Sequence, residues 1–596
     1  MNMDMIFKKP ILSLILLVTS ILPSSVALAK VLQLTPTLKN IAGYYQHPQV
    51  KELYLQMKIS GNKLKQIRDW DGRELLLDPK SETEFSSPNG DYNLHFLKDG
   101  NNEISAVKIG QELWVKVAGY RPEKMPGLTV AQVSALLNEK AEKLVAAINA
   151  NTDKRLVDYV NNNFSKKLKS TTQGDFLSRA KAAYRSTAGV KFDKRLYFNA
   201  NALFAEYQYA SADLNNVLEF SLKLDQKGKI KLYNSRVTYS QDPIKKLNTE
   251  QELIGDLDQT LKHLSQKDVF SGAVLFAKGD RVLYEYSTGL AIKKDGIKNN
   301  IDTKFNIGSI NKMFTAVGVM QLVEQGKLNL NDPLSKFLDS TWIPTALADQ
   351  IKVSQLLNHT AGVGDFFSEK MQAAPLSQFR TLEGYKPFVK LTKLEFEPGT
   401  SWSYSNSGML LLGLIIEKVS GQNYFDYVKE HIYKIAGMES SAMRTFGGKE
   451  PGEPVEAQEN KYLSNQAMGY IPTIDNTYIL ASSPIYTIGS AAGGGYSTVG
   501  DLHKFGIALL SGQLLSDSSR LKMFKDELGI GYGYGFQLSG SPKLEVVGHS
   551  GGAPGVNAVS YYFPETGYMI VVLSNYDRGA ADLGEYMLNQ VKSIVK

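Results

Sequence analysis

Phe305-Asn306-Ile307-Gly308-Ser309-Ile310-Asn311-Lys312 opens the stretch on which the reading of this chain turns. It runs into an almost unbroken apolar segment, Met313 to Gln325, and meets Gly326, a residue suited to a helix C-terminus. Such a segment predicts a buried helix. Residues three apart on a helix are neighbours, about 5–6 Å between Cβ atoms, so Lys312 is placed beside the Ser309 hydroxyl. The helix N-terminus favours developing negative charge. Burial lowers a lysine pKa, so that a neutral amine can take the serine proton. Alone the tetrapeptide says little, since Ser-x-x-Lys occurs six times, at Ser60, Ser105, Ser178, Ser309, Ser519 and Ser593. The Ser309 copy stands apart because Gly308 precedes it, an apolar helix follows it, and partners lie downstream in order.

The first partner is Tyr404-Ser405-Asn406, in a polar stretch between Pro398 and Gly408 that leads into an apolar helix, Met409 to Val419. A loop placed there aims a phenol and an amide into a cleft. Tyr404 is the candidate to share proton transfer with Lys312, and Asn406 to donate a hydrogen bond to an acyl-amide oxygen. The second partner is His549-Ser550-Gly551, within Val547 to Gly555, the single His-x-Gly of the chain. Strand-like segments on either side predict the edge of an antiparallel sheet. Such an edge exposes backbone N–H groups of the kind an oxyanion hole needs. The amides of Ser309 and Gly552 are the expected pair; Asn406, Ser550 and Gly551 are further substrate-binding candidates.

The ordered set Ser-Ile-Asn-Lys, Tyr-Ser-Asn and His-Ser-Gly resembles the active-site serine penicillin-recognising hydrolases. Those are class C-type β-lactamases, D-alanyl-D-alanine carboxypeptidases, D-aminopeptidases and family VIII-type esterases. Four further stretches carry the likeness: Phe270 to Val274, Leu356-Leu357-Asn358-His359-Thr360-Ala361-Gly362, Phe396-Glu397-Pro398-Gly399, and Gly493 to Thr498 leading to Asp501-Leu502. The resemblance covers roughly residues 260–590. It implies an α+β, β-lactamase/transpeptidase-like domain, an antiparallel sheet flanked by helices, and an acyl-enzyme mechanism on Ser309 with no metal or organic cofactor. One departure bears on substrate. Where β-lactamases carry a lysine that helps hold an anionic carboxylate, this chain has His549. A histidine titrates near neutrality and is a weaker anchor, so an ester or a D-amino-acid peptide is expected ahead of a penicillin. His549 is read either as a helper of the deacylating water, a role shared with Tyr404, or as a substrate contact.

The rest of the chain frames this segment. At 596 residues, about four domains are expected. Hydrophobic residues at 43% and aromatics at 10% suffice for real cores and exclude collagen-like or wholly disordered classes. The net charge is 67 − 60 = +7, spread along the chain with no basic stripe, so nucleic acid is not an expected partner. Cysteine is absent, which excludes disulfides, thiolate metal sites and a Cys nucleophile, and the seven His are scattered. Lys8 and Lys9, the apolar run Ile11 to Leu22, and Ala27-Leu28-Ala29 form the layout of a secretory signal, with cleavage expected after Ala29. The apolar run is shorter than the roughly 20 residues a span needs. An exported, periplasmic protein without a membrane anchor is therefore expected.

Residues 30–126 read as short strands between turns such as Gly61-Asn62, Asp71-Gly72, Asn89-Gly90 and Asp99-Gly100, a small antiparallel β domain. It resembles the accessory β domain attached to penicillin-binding-type hydrolases, usually at their other end. Residues 127–242 read as helices from Leu128, with Thr129 as N-cap, followed by strands at 196–210, 216–224 and 230–239. That α+β module is similar to cone-like folds and shows no catalytic cluster. Residues 243–596 hold the hydrolase segment. A small-molecule or peptide substrate is expected for it, with a peptidoglycan fragment among the options. Three other readings compete with this one. Gly548-His549-Ser550-Gly551-Gly552 matches the nucleophile elbow of α/β-hydrolases, but that fold needs a later histidine and none follows His549. A β-lactamase, and a non-catalytic cell-wall sensor on the same scaffold, are the alternatives to an esterase or D-peptidase. His359 and Asp365 are pocket-lining candidates, with a structural histidine the commoner case; Tyr532 and Tyr534 read equally well as substrate contacts or core.

Overall fold

The computed structural model describes residues 40–595, apart from 51–52, 123–124, 126, 212–213, 215, 240–246, 390, 444–464, 474–476, 482–488, 542–543 and 578. The expected signal sequence at 1–29 lies outside the described residues. Among the described residues no helix is long and apolar enough to cross a membrane.

The first β region is a closed barrel. Its strands are β1 (Gly43–Gln46), β2 (Tyr54–Ser60), β3 (Lys63–Arg68), β4 (Glu74–Pro79), β5 (Glu84–Ser86), β6 (Asn93–Lys98), β7 (Ile104–Ile109) and β8 (Glu112–Val117). Each pairs with the next, and β1 closes on β8 with Tyr45 opposite Lys116. Alternation along the strands sends Leu55, Met57, Leu64, Leu77, Phe85, Leu94, Phe96 and Val107 inward, where they fill the barrel. Closure removes both open edges of a sheet this small.

Helices α1 (Val130–Ala150), α2 (Asp153–Asn163) and α3 (Lys166–Thr187) follow. Thr129 accepts from the Gln132 amide, Thr152 from Arg155 and Ser165 from Leu168, three hydroxyl caps at three helix starts. The sheet that follows them in the chain has the order β12-β11-β10-β9, with β9 at Val190–Asn199, β10 at Phe204–Ser211, β11 at Asn216–Leu224 and β12 at Ile230–Tyr239. The strand expected at 196–210 is thus two strands, broken at a turn where Leu203 takes φ of 52°. The chain divides into two compact units. One holds the barrel with Tyr197–Ala205 and Leu222–Lys231; the other holds Asn138–Leu196, Glu206–Ser221 and Leu232–Lys596.

The hydrolase segment begins with α4 (Glu250–Gln266) and is built on six antiparallel strands: β13 (Gly272–Lys278), β14 (Arg281–Thr288) and, after the short strands β15 (Phe305–Asn306) and β16 (Tyr496–Ser497), which pair with each other, β17 (Gln537–Ser541), β18 (Leu544–Ala553), β19 (Val556–Tyr562) and β20 (Tyr568–Ser574). The order is β14-β13-β20-β19-β18-β17. Central β20 is buried along its whole length, with α7 (Val499–Leu510) and α8 (Gly579–Ile594) packed against it. The helices α5 (Asn311–Glu324) and α6 (Asn406–Ser420) pack against each other, and their facing surfaces are buried. α5 is buried all round from Asn311 to Leu322, which is why its sequence is apolar without a polar stripe.

The edge expected at His549-Ser550-Gly551 needs a correction. The edge strand is β17, and β18 lies one strand in. The β17–β18 register ends at Gln537 opposite Gly548, however. From His549 to Ala553, β18 pairs with β19 alone, and it is this bare half that meets the Ser309 turn.

Candidate active site

Ser309 sits in a 3₁₀ turn, Gly308–Ile310, that leads straight into α5. The turn is shaped by the sequence around it. The Asn306 side chain accepts from the Gly308 amide at 2.9 Å, and Gly308 takes φ of 51°. That conformation disfavours any residue with a Cβ, and a Cβ there would also lie 3.0 Å from the Gly552 nitrogen. Contact is equally close from the other side: a Cβ on Gly551 would lie 2.0 Å from the Ile307 carbonyl oxygen and 3.1 Å from the Ser309 nitrogen. Backbone therefore packs on backbone, which brings the amide edges of Ser309 and Gly552 together, with open space at the outer side of Gly552. The glycine run at Gly493–Gly495 wraps the same turn: Gly494 donates to the Gly308 carbonyl at 3.1 Å and Ile307 donates to that of Gly495 at 3.1 Å.

Lys312 is completely buried. Its Nζ lies 3.0 Å from Ser309 Oγ and 2.7 Å from Asn406 Oδ1, and it also donates to the Ala492 carbonyl. Burial holds the amine far below its usual range, down to about 7, with the charge of Asp365 acting in the opposite sense. Tyr404 reaches the same hydroxyl, hydrogen-bonded to Ser309, and its ring lies 4.8 Å from Lys312 Nζ. Burial pushes its phenol well above the ordinary value. The two shifts separate the roles available at neutral pH: the lysine is the group that sheds its proton, and the tyrosine keeps its own.

Geometry also limits the amine. An ammonium has three N–H bonds, and here they have three partners. When the amine is neutral, the two carbonyl oxygens can only accept, so they take the two remaining N–H bonds. The lone pair is left for Ser309 Oγ–H.

The other candidates are more fully engaged than the sequence suggests. Asn406 is held on both sides of its amide: Oδ1 accepts from Lys312, and Nδ2 donates one of its two N–H bonds to Asp365 Oδ2 at 2.7 Å. His549 has both ring nitrogens occupied. One faces the Ser550 carbonyl at 2.6 Å, which a ring N–H donates to, and the other accepts from the Tyr532 hydroxyl at 3.0 Å. Burial and the nearby Lys312 hold its pKa down to about 3, so the ring is neutral at physiological pH. Ser550 is clamped by Gln537, whose side chain accepts from the Ser550 amide at 3.0 Å and donates to its hydroxyl at 3.1 Å. His359 is buried with φ of 62° and accepts from the Ser405 amide at 3.2 Å; its ring packs on Tyr404 and Tyr532 at 4.6 and 4.7 Å. Tyr532 is therefore core, while Trp402 remains 40% exposed beside it, 6.2 Å between ring centroids.

Residues 257–590, more than half of the chain, match the family model described as Beta-lactamase.

The chain belongs to the beta-lactamase family.

Beta-lactamase-family serine hydrolases similar to it include Penicillin-binding protein 4* of Bacillus subtilis, 30% identical over 55% of this chain and 75% of that protein. A putative D-alanyl-D-alanine carboxypeptidase of Escherichia coli is 24% identical over 54% of this chain and 82% of that protein. A D-aminopeptidase of Brucella anthropi is 23% identical over 56% of this chain and 61% of that protein. Within the family site, the sequence reading missed Gln537 and the Ala492 carbonyl. Gln537 was in reach of a register argument, because antiparallel pairing of Ser541 with Leu544 sets it opposite Gly548. A backbone carbonyl 180 residues from Lys312 carries no sequence signal.

Proposed function

We propose that the protein hydrolyses an ester or amide through an acyl-enzyme on Ser309. The observation that carries this reading is the 3.0 Å contact between Ser309 Oγ and a buried lysine amine held near pKa 7. Ser309 Oγ attacks the carbonyl carbon as its proton passes to Lys312. The developing oxyanion is held by the amides of Ser309 and Gly552. Lys312 returns the proton to the leaving group, with the Tyr404 hydroxyl as a second donor, and water then attacks the ester carbonyl by the same route in reverse. The acylation rate should rise with pH through about 7, because only the neutral amine accepts a proton; a kcat/KM profile with a chromogenic ester checks this. Tyr404→Phe should lower turnover by about 10²-fold and leave that inflection where it is.

For the acyl donor, the neutral, doubly bonded His549 supports a substrate that carries no carboxylate beside the scissile bond. An ester, or an amide cut from its amino-terminal side, fits this; a penicillin does not. Exposed Trp402 supports an apolar group next to the carbonyl. The test is one enzyme preparation assayed on p-nitrophenyl esters, D-amino-acid amides and a chromogenic cephalosporin. The esters or D-amides should exceed the cephalosporin in kcat/KM by at least about 10²-fold, the scale on which a missing charge contact discriminates. Parity would return the β-lactamase reading. The signal-like start of the chain supports export to the periplasm, where D-amino-acid peptides of the cell wall are at hand. The modules at 30–126 and 127–242 are assigned to substrate or partner binding.

A further inference from the structure

Asp365 lies in a loop, residues 362–368, without regular secondary structure, and its hydrogen bonds run to Phe367 and Asn406, not to Ser309 itself. Its hydrogen bonds nevertheless converge on the base. Oδ2 accepts from the Asn406 backbone amide at 3.2 Å and from Asn406 Nδ2 at 2.7 Å, while Oδ1 accepts from the Phe367 amide at 2.9 Å. A carboxylate can only accept. With Nδ2 drawn to Asp365, the oxygen of the same amide is turned the other way, onto Lys312 Nζ at 2.7 Å. Were the amide reversed, its NH₂ group would face the amine and compete with Ser309 for the lone pair.

Resting on the proposed acyl-enzyme mechanism, we infer that Asp365 is a positioning residue, which orients the Asn406 amide so that the free lone pair of Lys312 is aimed at Ser309. The surroundings leave Asp365 in sole charge of this task. The titratable groups around Lys312 are Tyr404 and Tyr532, His359 and His549, and Asp365. Burial keeps both phenols protonated and both imidazoles neutral. Asp365 is the negative charge that acts on the amine, and it favours the protonated form. The residue therefore has two separable effects: orientation, which raises turnover, and charge, which sets the pH at which the base is ready.

The experiment is the pH dependence of kcat/KM for p-nitrophenyl acetate in the full chain, wild type against Asp365→Asn. The variant has the same shape but no charge, and its amide can donate as well as accept. Turnover should fall by about 10-fold or more, and the acidic inflection should move to lower pH, because removal of a neighbouring anion makes Lys312 easier to deprotonate. Asp365→Ser, smaller and unable to overpack the site, should move the inflection in the same direction and serves if the first variant folds poorly. An inflection that stays in place, with only thermal stability reduced, would overturn the inference by making Asp365 a structural brace. An inflection that moves to higher pH would overturn it as well. Ser309→Ala in the same assay separates the two levels of the account. If Ser309→Ala is inactive and Asp365→Asn keeps the wild-type inflection, only the positioning role fails. If Ser309→Ala retains activity, the mechanism beneath it fails.

Discussion

Lys312→Ala should reduce the rate of acylation by about 10³–10⁴-fold, the upper range for one positioned proton acceptor, and leave the fold intact. The amine is the one group at Ser309 whose pKa lies near neutrality, since burial sends Lys312 down and Tyr404 up. Without it, serine must lose its proton to water. Truncation strands the Asn406 and Ala492 oxygens that now accept from Nζ, at about 1–3 kcal/mol for each unsatisfied group. It also relieves the desolvation that lowers the amine's pKa, so the two effects on stability oppose each other. Lys312→Arg is the informative control. It keeps a cation in the pocket but cannot deprotonate, so it should not restore the rate. A single-turnover experiment with an activated ester, run beside thermal melting, reads both quantities. A Lys312→Ala enzyme acylated within about 10-fold of the wild-type rate would contradict the assignment of the base.

The second large effect is expected at a residue with no side chain. In Gly551→Ala the new methyl would have to occupy a point 2.0 Å from the Ile307 carbonyl oxygen. That neighbour is backbone, so the Ser309 turn and β18 must move apart, and the Ser309 and Gly552 amides separate with them. Loss of one oxyanion donor costs about 10²–10³-fold in kcat, or ~2.7–4 kcal/mol. The expected result is a protein that still reacts slowly at Ser309 and shows little change in KM. Gly552→Ala is the contrast: its Cβ would meet nothing within 4 Å, and it should be much the milder of the two. Equal losses in both variants would argue that the glycines serve flexibility and not close approach.

The parts of the molecule legible in the sequence are those set by local chemistry. α5 and its stop at Gly326, α6 and the hairpins of the hydrolase sheet follow from apolar runs, caps and turn residues within a few positions of one another. Ser309 and Lys312 were legible for the same reason, being one helical turn apart. Closure of the barrel was not, because it depends on β1 meeting β8 some seventy residues later, a pairing that no turn signal announces. The engagement of the site was also hidden. Asn406 is held between Lys312 and Asp365, His549 between Tyr532 and the Ser550 carbonyl, and Ser550 by Gln537. Residue type shows that an amide or an imidazole can reach a substrate. Only the packed structure shows whether its polar atoms are already taken.

The most direct measurement is the intact mass of the full-length protein after exposure to a serine-acylating phosphonate, followed by peptide mapping. The account predicts one adduct, on Ser309, that is absent or greatly slowed in Lys312→Ala. An adduct on Ser550 would contradict it by placing the nucleophile in the other serine motif. No adduct at all would contradict it more broadly and point to a binding protein on a hydrolase scaffold.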